Sequence, residues 1–179
     1  MKTKKEILKR RKKLLLILWF LIKLNILVIP LYVLLYLDFS FFPLQAFLTS
    51  LTGKTLQALG YPVSFTSTNL FMLFNSPTGY LLVPFEMTMD CTGWKTMYAL
   101  AALTIATPKS KIKGKIKFLA IGLPFLFFLN FIRILTTLMF SFHFGYQHLE
   151  VMHTFLWREG LIFAVIFLWY LWLRRENII

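Results

Sequence analysis

Residues 14–37 read LLLILWFLIKLNILVIPLYVLLYL and contain a single charged residue, Lys23. An α-helix rises 1.5 Å per residue, so a run of this length crosses a hydrocarbon core of about 30 Å with some tilt. It is too long for the apolar region of a signal peptide, and no Ala-x-Ala-like cleavage site follows it. We therefore expect a retained membrane helix, in which Lys23, Asn25 and Pro30 face other helices rather than lipid.

The composition of the whole chain also indicates a membrane protein. Of its 179 residues, 58% are hydrophobic and 20 are phenylalanine. A soluble domain of this length could not cover so much apolar surface, whereas a protein in contact with lipid has no need to. The length suits one compact unit rather than several domains.

The positive charges follow a pattern typical of membrane topology. The net charge is +13, and most of the basic residues lie in three clusters, at residues 1–13, 108–117 and 174–175. Each cluster flanks an apolar run, which predicts a cytoplasmic position for all three. Such clusters also attract the anionic lipid of the inner leaflet. We therefore expect the lipid bilayer as a partner and no nucleic acid.

These patterns predict an all-α membrane bundle with four spans and both termini in the cytoplasm. We expect it to lie in the cytoplasmic membrane as a multi-pass protein. The predicted segments are a basic tail (1–13), four spans (14–37, 91–107, 118–140 and 153–173), an extracytoplasmic segment (38–90), a basic cytoplasmic loop (108–117), an outer loop (141–152) and a cytoplasmic tail (174–179).

The extracytoplasmic segment has local structure of its own. Residues 43–59 place leucine and phenylalanine at helical spacing before Gly60, which predicts a short amphipathic helix on the outer leaflet. Residues 69–74 and 80–85 are apolar runs joined by Asn75-Ser76-Pro77-Thr78-Gly79, which predicts a hairpin. We therefore expect a small helix and hairpin inserted between the first two spans.

Several polar residues lie near the outer ends of the predicted spans. Counted from the basic inner end of its own span, Cys91 lies about 26 Å up, and Arg133 and Arg158 about 24 Å, at helical rise. His153 lies about 31 Å up by the same count. Charged residues inside a span are costly and are therefore functional candidates. A thiol, two guanidiniums and an imidazole thus come to a similar depth.

Cys91 is the only cysteine of the chain, so it has no intramolecular disulfide partner. A structural interpretation is a small buried side chain that only packs. Three features favour reactivity instead: the polar neighbours in Asp90-Cys91-Thr92-Gly93, the positive end of a helix that Cys91 is predicted to open, and Lys95 one turn further along.

Arg133 has two interpretations. It pairs with an acidic residue and holds the bundle together, or it stabilises negative charge in a reaction. The acidic candidates for an interior pair are Glu86, Asp90 and Glu159. Asn130 lies three residues earlier on the same helix face and could orient the guanidinium.

The three histidines do not form a metal-binding pattern. Residues 143, 148 and 153 are spaced by five, which does not place them on one helix face, and there is no His-Glu-x-x-His sequence. We therefore expect no metal and no cofactor. His143 and His148 are assigned to the outer loop as solvated residues, and His153 is the best placed to reach the thiol.

A thiol, a base and a fixed cation together suggest covalent catalysis. The thiolate attacks a carbonyl, the imidazole moves the proton, and the guanidinium stabilises the oxyanion.

Three segments resemble motifs of the exosortase/archaeosortase family of membrane cysteine transpeptidases. Asp90-Cys91-Thr92-Gly93 is similar to its Cys-[Ser/Thr]-Gly motif, and Asn130-Phe131-Ile132-Arg133 to its Asn-x-x-Arg motif. His153, followed by Gly160, is similar to the third motif, for which His148 and Arg158 are alternatives. Many family members are longer, with additional spans.

The resemblance implies an enzyme that processes secreted proteins. Their C-terminal sorting signal has a short motif, a transmembrane helix and a basic tail, and the new C-terminus passes to a lipid or surface acceptor. The resemblance further implies Cys91 as nucleophile, Arg133 as stabiliser of the thiolate or transition state, and His153 as general acid and base. The active site would face the outside.

Two other functions are consistent with the same residues. A membrane cysteine acyltransferase would use the same thiol but transfer an acyl chain. A non-enzymatic four-span assembly factor would need Arg133 for stability alone and would tolerate Cys91→Ser.

Overall fold

The computed structural model describes residues 4–76, 79–145 and 158–178. This part of the chain is mostly helical and includes one small antiparallel sheet. The elements are α1 (Lys4–Tyr36), α2 (Phe42–Ala58), β1 (Val63–Phe65), β2 (Asn69–Ser76), β3 (Gly79–Glu86), a 3₁₀ turn (Met89–Thr92), α3 (Trp94–Ala106), α4 (Ile112–Phe144) and α5 (Arg158–Arg175).

Two helices of the described part are long and apolar enough to cross a membrane. They are Arg10–Tyr36 within α1 and the whole of α4. The most apolar stretch of α1 buries none of its residues against the rest of the protein, as expected of a helix that contacts lipid. By contrast, α3 has 13 residues and is about 20 Å long at helical rise, shorter than a hydrocarbon core. The four-span arrangement stays a prediction.

The polar positions inside α1 differ from the expectation. Lys23, Asn25 and Pro30 are all exposed rather than buried between helices. The side-chain amide of Asn25 donates a hydrogen bond to the carbonyl of Leu21, 2.8 Å away in the same helix. Because its own helix satisfies one of its donors, Asn25 does not require a polar partner from a neighbouring helix.

α3 lies among the other long helices and contacts α1, α4 and α5. The hydroxyl of Tyr98 donates to the carbonyl of Leu27 in α1, and the indole of Trp169 in α5 donates to the hydroxyl of Thr107, 3.1 Å away. The apolar centre of this bundle includes Leu100, which is fully buried. Through these contacts α3 connects α1, α4 and α5 into one helical bundle.

A second core lies between α2, the sheet and the C-terminal half of α4. It contains Leu48 and Leu56 of α2, Leu70 and Met72 of β2, and Ile134 of α4. Pro43 stands in the first turn of α2, where its missing N–H would be unpaired in any case. The helix and the hairpin that the sequence predicts are therefore both present, and their position outside the membrane stays a prediction.

The sheet has three strands in the order β1-β2-β3. β2 and β3 pair from Asn69↔Glu86 to Ser76↔Gly79, and β1 adds the pairs Val63↔Met72 to Phe65↔Leu70. The third strand was not predicted, since three residues are too few to show an alternating pattern. β3 ends at Glu86, five residues before Cys91, and so delivers the chain to the turn that holds the thiol.

α4 is longer than the span predicted at 118–140. It continues to Phe144 and ends at Gly145, whose φ is +97°. The assignment of His143 to a loop is therefore wrong, although its side chain is exposed as predicted. Its ring lies in the last turn of α4 and makes an edge contact with Tyr61, with 5.9 Å between ring centroids. Apolar residues on both sides of His143 and the contact with Tyr61 extend the helix beyond the predicted end.

Candidate active site

Cys91 lies in a single 3₁₀ turn that precedes α3. The hydroxyl of Thr92 donates to the carbonyl of Met89 at 2.7 Å and closes this turn. Gly93 follows with φ +73°, and α3 begins at Trp94. Cys91 therefore stands before the helix rather than opening it, because the left-handed residue separates the turn from α3.

Asn130 of α4 connects this turn to the long helix. Its side-chain Nδ2 donates to the backbone carbonyl of Cys91 at 2.7 Å, and Asn130 is fully buried. A Cβ at Gly93 would lie 2.8 Å from Cγ of Asn130, closer than real Cβ atoms approach. Only glycine therefore allows the turn to lie this close to α4. The Oδ1 of Asn130 has no hydrogen-bond partner among the described residues.

Arg133 lies one turn after Asn130 on α4 and is 6% exposed. It is close enough to Cys91 for a charge on the thiol to act on the guanidinium. The structure thus brings together Cys91 and Arg133, which the sequence places at similar depths on two helices, and it adds Asn130 as the residue that contacts the cysteine turn.

Thr88 is a neighbour of the thiol that the sequence did not single out. Its Oγ1 lies 3.4 Å from Sγ of Cys91, within the range of a hydrogen bond to sulfur. The amide of Cys91 also donates to the carbonyl of Thr88 at 3.1 Å, so the chain folds back on itself here. The sequence does contain a signal for this contact. Thr88 is a hydroxyl residue three positions before the cysteine, in a segment that leads to a turn.

Lys95 pairs with Asp90. The distance from Nζ to the carboxylate is 2.8 Å, and both side chains are largely exposed, at 44% and 67%. Lys95 was predicted to act on the thiol with its positive charge, but its ammonium group is paired with the carboxylate of Asp90. The reason is the bend at Gly93, which brings the residues before and after it together.

Two cavities adjoin these residues. The first, named here the thiol cavity, measures about 320 Å³ and includes Cys91 in its wall. The second, the guanidinium cavity, measures about 610 Å³ and lies between α3, α4 and α5 with Arg133 in its wall. Asp90 and Lys95 also line the guanidinium cavity, and its remaining wall is mainly apolar residues of α3 and α5. Cys91 and Arg133 are thus both next to space that a ligand could occupy.

The residues predicted for the third position are less defined. His153 and His148 lie outside the described residues. Arg158 is the first described residue of α5, and it is helical. The general acid and base therefore stay a prediction.

The described residues have the chemistry of a nucleophile with an electrostatic partner. The thiol supplies the attacking atom, and the buried guanidinium can stabilise an oxyanion that forms nearby. Asn130, which lies on α4 with Arg133, holds the turn that carries the thiol through a hydrogen bond to the carbonyl of Cys91.

Residues 10–173 match a protein-family model described as transmembrane exosortase (Exosortase_EpsH). No curated protein and no solved structure matches the chain. The matched range includes the cysteine turn, the whole of α4 and all but the last two residues of α5.

Proposed function

Since this chain belongs to the transmembrane exosortase family, we propose that it is a membrane cysteine protease or transpeptidase. It cleaves the C-terminal sorting signal of secreted proteins and transfers them to a lipid or surface acceptor. In this proposal Cys91 is the nucleophile, Arg133 stabilises the developing oxyanion, and His153 is the general acid and base, with His148 and Arg158 as alternatives.

One observation carries the proposal. The hydrogen bond from Asn130 to the carbonyl of Cys91 joins two motifs that are 39 residues apart in the sequence. Arg133 follows on the next turn of α4, buried and within electrostatic reach of the thiol. A purely structural cysteine would need neither a buried cation nor a cavity beside it.

The proposed reaction has two steps. The thiolate of Cys91 attacks the scissile carbonyl, a carbon–sulfur bond forms, and the carbon–nitrogen bond breaks when the general acid protonates the leaving amine. The oxyanion of the tetrahedral intermediate is stabilised by the guanidinium of Arg133. A nucleophile from the acceptor, or water, then attacks the thioester and releases the thiolate.

The proposed topology places this chemistry on the outer side of the membrane. Both termini and the basic loop at 108–117 lie in the cytoplasm. The four spans are α1, residues 91–107 (α3 together with the cysteine turn before it), α4 and α5. The substrate enters as a transmembrane helix, so its cleavage motif lies at the level where its own helix leaves the lipid. α2 and the sheet then cover the C-terminal half of α4 from the outside.

The test uses a secreted protein encoded beside this gene that ends in a short motif, an apolar helix and a basic tail. Its size and membrane anchoring are compared in cells with the wild-type enzyme, Cys91→Ala, Arg133→Lys and His153→Ala. We expect processing to be lost in Cys91→Ala and strongly reduced in the other two. Arg133→Lys is informative because lysine keeps the charge but not the planar donor group.

Arg174→Lys is the matched control, because Arg174 is exposed at the end of α5, far along the chain from the thiol. It should process like the wild type. Normal processing by Cys91→Ala, in membranes that contain the variant at the wild-type level, would contradict the proposed function and favour a non-enzymatic role.

A further inference from the structure

The thiol cavity has an apolar wall drawn from the sheet and α4. Its residues fall into two groups by location: Leu70, Pro84, Phe85, Glu86 and Met87 from the sheet and the residue after it, and Ile134, Thr137 and Leu138 from α4, with Cys91 between them. The hydroxyl of Thr137 donates to the carbonyl of Arg133 in its own helix at 2.8 Å. The other wall residues with polar side chains are Glu86, at the end of β3, and Cys91, in the 3₁₀ turn.

The backbone beside this cavity is poorly suited to hold a substrate as an added strand. The amide of Met87 donates to the carbonyl of Thr68 at 2.8 Å, which makes this a hydrogen-bonded pair. Since such pairs alternate along an antiparallel ladder, Phe71↔Pro84 is a non-hydrogen-bonded pair. The nitrogen of Pro84 then faces away from β2, toward the other edge of β3, and offers no N–H there. Side chains rather than backbone pairing must supply recognition at this point.

From this geometry, and resting on the proposed function, we propose that the thiol cavity is a specificity subsite. It receives an apolar side chain of the secreted substrate next to the scissile bond. Because Cys91 is part of the wall, a side chain in the cavity would hold the neighbouring carbonyl beside the sulfur. The apolar wall selects by burial, and Glu86 disfavours an acidic side chain at this position.

The volume fits an aromatic or large aliphatic group. An apolar cavity of about 150 Å³ is enough to bind benzene, and the thiol cavity is about 320 Å³. A phenyl or isobutyl group would therefore fit without displacement of the wall. An alanine side chain would leave most of the space empty and would gain little from burial.

The first test uses the chain's single thiol and needs no known substrate. The full-length protein in detergent is alkylated with iodoacetamide and, separately, with N-benzyl iodoacetamide, and the rates are followed by intact mass. In both reactions the carbon–sulfur bond forms and iodide leaves. We expect the benzyl reagent to react faster than iodoacetamide, and Thr137→Leu, which fills the cavity, to reduce this preference about tenfold.

Thr136→Leu is the matched control, because Thr136 is the neighbouring threonine, also bonds back to its own helix, and is exposed. It should keep the wild-type preference and so corrects for uptake of the benzyl reagent into detergent.

A second variant guards against poor folding of Thr137→Leu. Leu138→Ala enlarges the cavity and should favour a naphthylmethyl reagent over the benzyl one, whereas Leu135→Ala, outside the wall, should not. Equal preferences in the wall variants and their controls would overturn the proposal.

The second test separates this proposal from the proposed function. The residues around the cleavage site of the secreted substrate are replaced in turn by alanine, leucine and phenylalanine. The wild-type enzyme should prefer a large apolar residue at one position, and Thr137→Leu should shift that preference toward alanine. Processing that depends on Cys91 but has the same side-chain preference in Thr137→Leu and the wild type would overturn the subsite and leave the proposed function intact. Processing that does not depend on Cys91 would overturn both.

Discussion

The side-chain amide of Asn130 donates a hydrogen bond of 2.7 Å to the backbone carbonyl of Cys91. This bond joins α4 to the turn that carries the thiol, and it leaves Arg133 one helical turn away on the same side of α4. The position of the sulfur relative to the guanidinium therefore depends on a residue that is itself neither the nucleophile nor the cation.

Replacement of Asn130 should lower the reactivity of the thiol and the activity, although Asn130 is neither the nucleophile nor the cation. In Asn130→Leu the carbonyl of Cys91 loses its donor, at a cost of about 0.5–1.5 kcal/mol for one hydrogen bond. We expect slower alkylation of Cys91 and reduced substrate processing, measured together with the melting temperature. Asn25→Leu is the matched control, since Asn25 is exposed and its side-chain amide bonds to the carbonyl of Leu21 in its own helix. Wild-type processing by Asn130→Leu would show that the bond does not position the thiol.

Gly93 is expected to tolerate no side chain. Its φ of +73° costs an alanine about 1–2 kcal/mol, and the new Cβ would lie 2.8 Å from Cγ of Asn130. Gly93→Ala should therefore lose processing and lower the melting temperature. Gly60→Ala separates the two causes, because Gly60 also has a positive φ, +85°, but nothing lies within 4 Å of its Cβ position. Equal effects of the two substitutions on processing would show that the contact with Asn130 is unimportant.

Much of the fold could be predicted because apolar runs and turn residues are local signals. The run at 14–37 predicts a helix that is present in α1, and the Asn-Gly-bounded segment between two apolar runs predicts the β2–β3 hairpin. β1 was missed because its three residues, Val63–Phe65, are too few to show an alternating pattern. The end of α4 was misplaced because the contact of His143 with Tyr61 is tertiary.

The site was less accessible to sequence reasoning. Similar depths on two spans suggested that Cys91 and Arg133 approach each other, but depth carries no information on helix rotation. The left-handed conformation of Gly93 has no periodic signature, so the 3₁₀ turn, the contact with Thr88 and the pairing of Lys95 with Asp90 all went unpredicted. The resemblance to family motifs identified the residues, and the structure adds how Asn130 connects them.

Thr88 should influence the reactivity of the thiol. A hydroxyl that donates to a thiolate stabilises it, so Thr88→Val should slow the alkylation of Cys91 at neutral pH. The loss of one hydrogen bond corresponds to about two- to tenfold in rate. The measurement is the iodoacetamide rate by intact mass, with Thr136→Val as control because its hydroxyl bonds to carbonyls of α4. An unchanged rate in Thr88→Val would mean that the hydroxyl does not act on the sulfur.

Lys115 should stabilise the opposite end of the bundle. Its ammonium group donates to the carbonyls of Ile105 and Thr107, at 2.8 and 2.7 Å, and so caps the C-terminus of α3. Lys115→Met should lower the free energy of unfolding by about 1 kcal/mol and leave the alkylation rate of Cys91 near that of the wild type. Lys113→Met is the control, since Lys113 is exposed in the same helix turn. A melting temperature as high as that of Lys113→Met would contradict the capping role.

The most direct test of the central claim is to trap the covalent intermediate. The enzyme is incubated with its secreted substrate, quenched in acid, digested and examined by mass spectrometry at the Cys91 peptide. We expect a hydroxylamine-sensitive thioester on Cys91 whose mass corresponds to the substrate peptide that ends at the cleavage site, and less of it in Arg133→Lys. A fatty acyl group on Cys91 would indicate an acyltransferase instead. Cleavage of the substrate with no adduct on Cys91, together with full activity of Cys91→Ala, would contradict the role of Cys91 as the nucleophile.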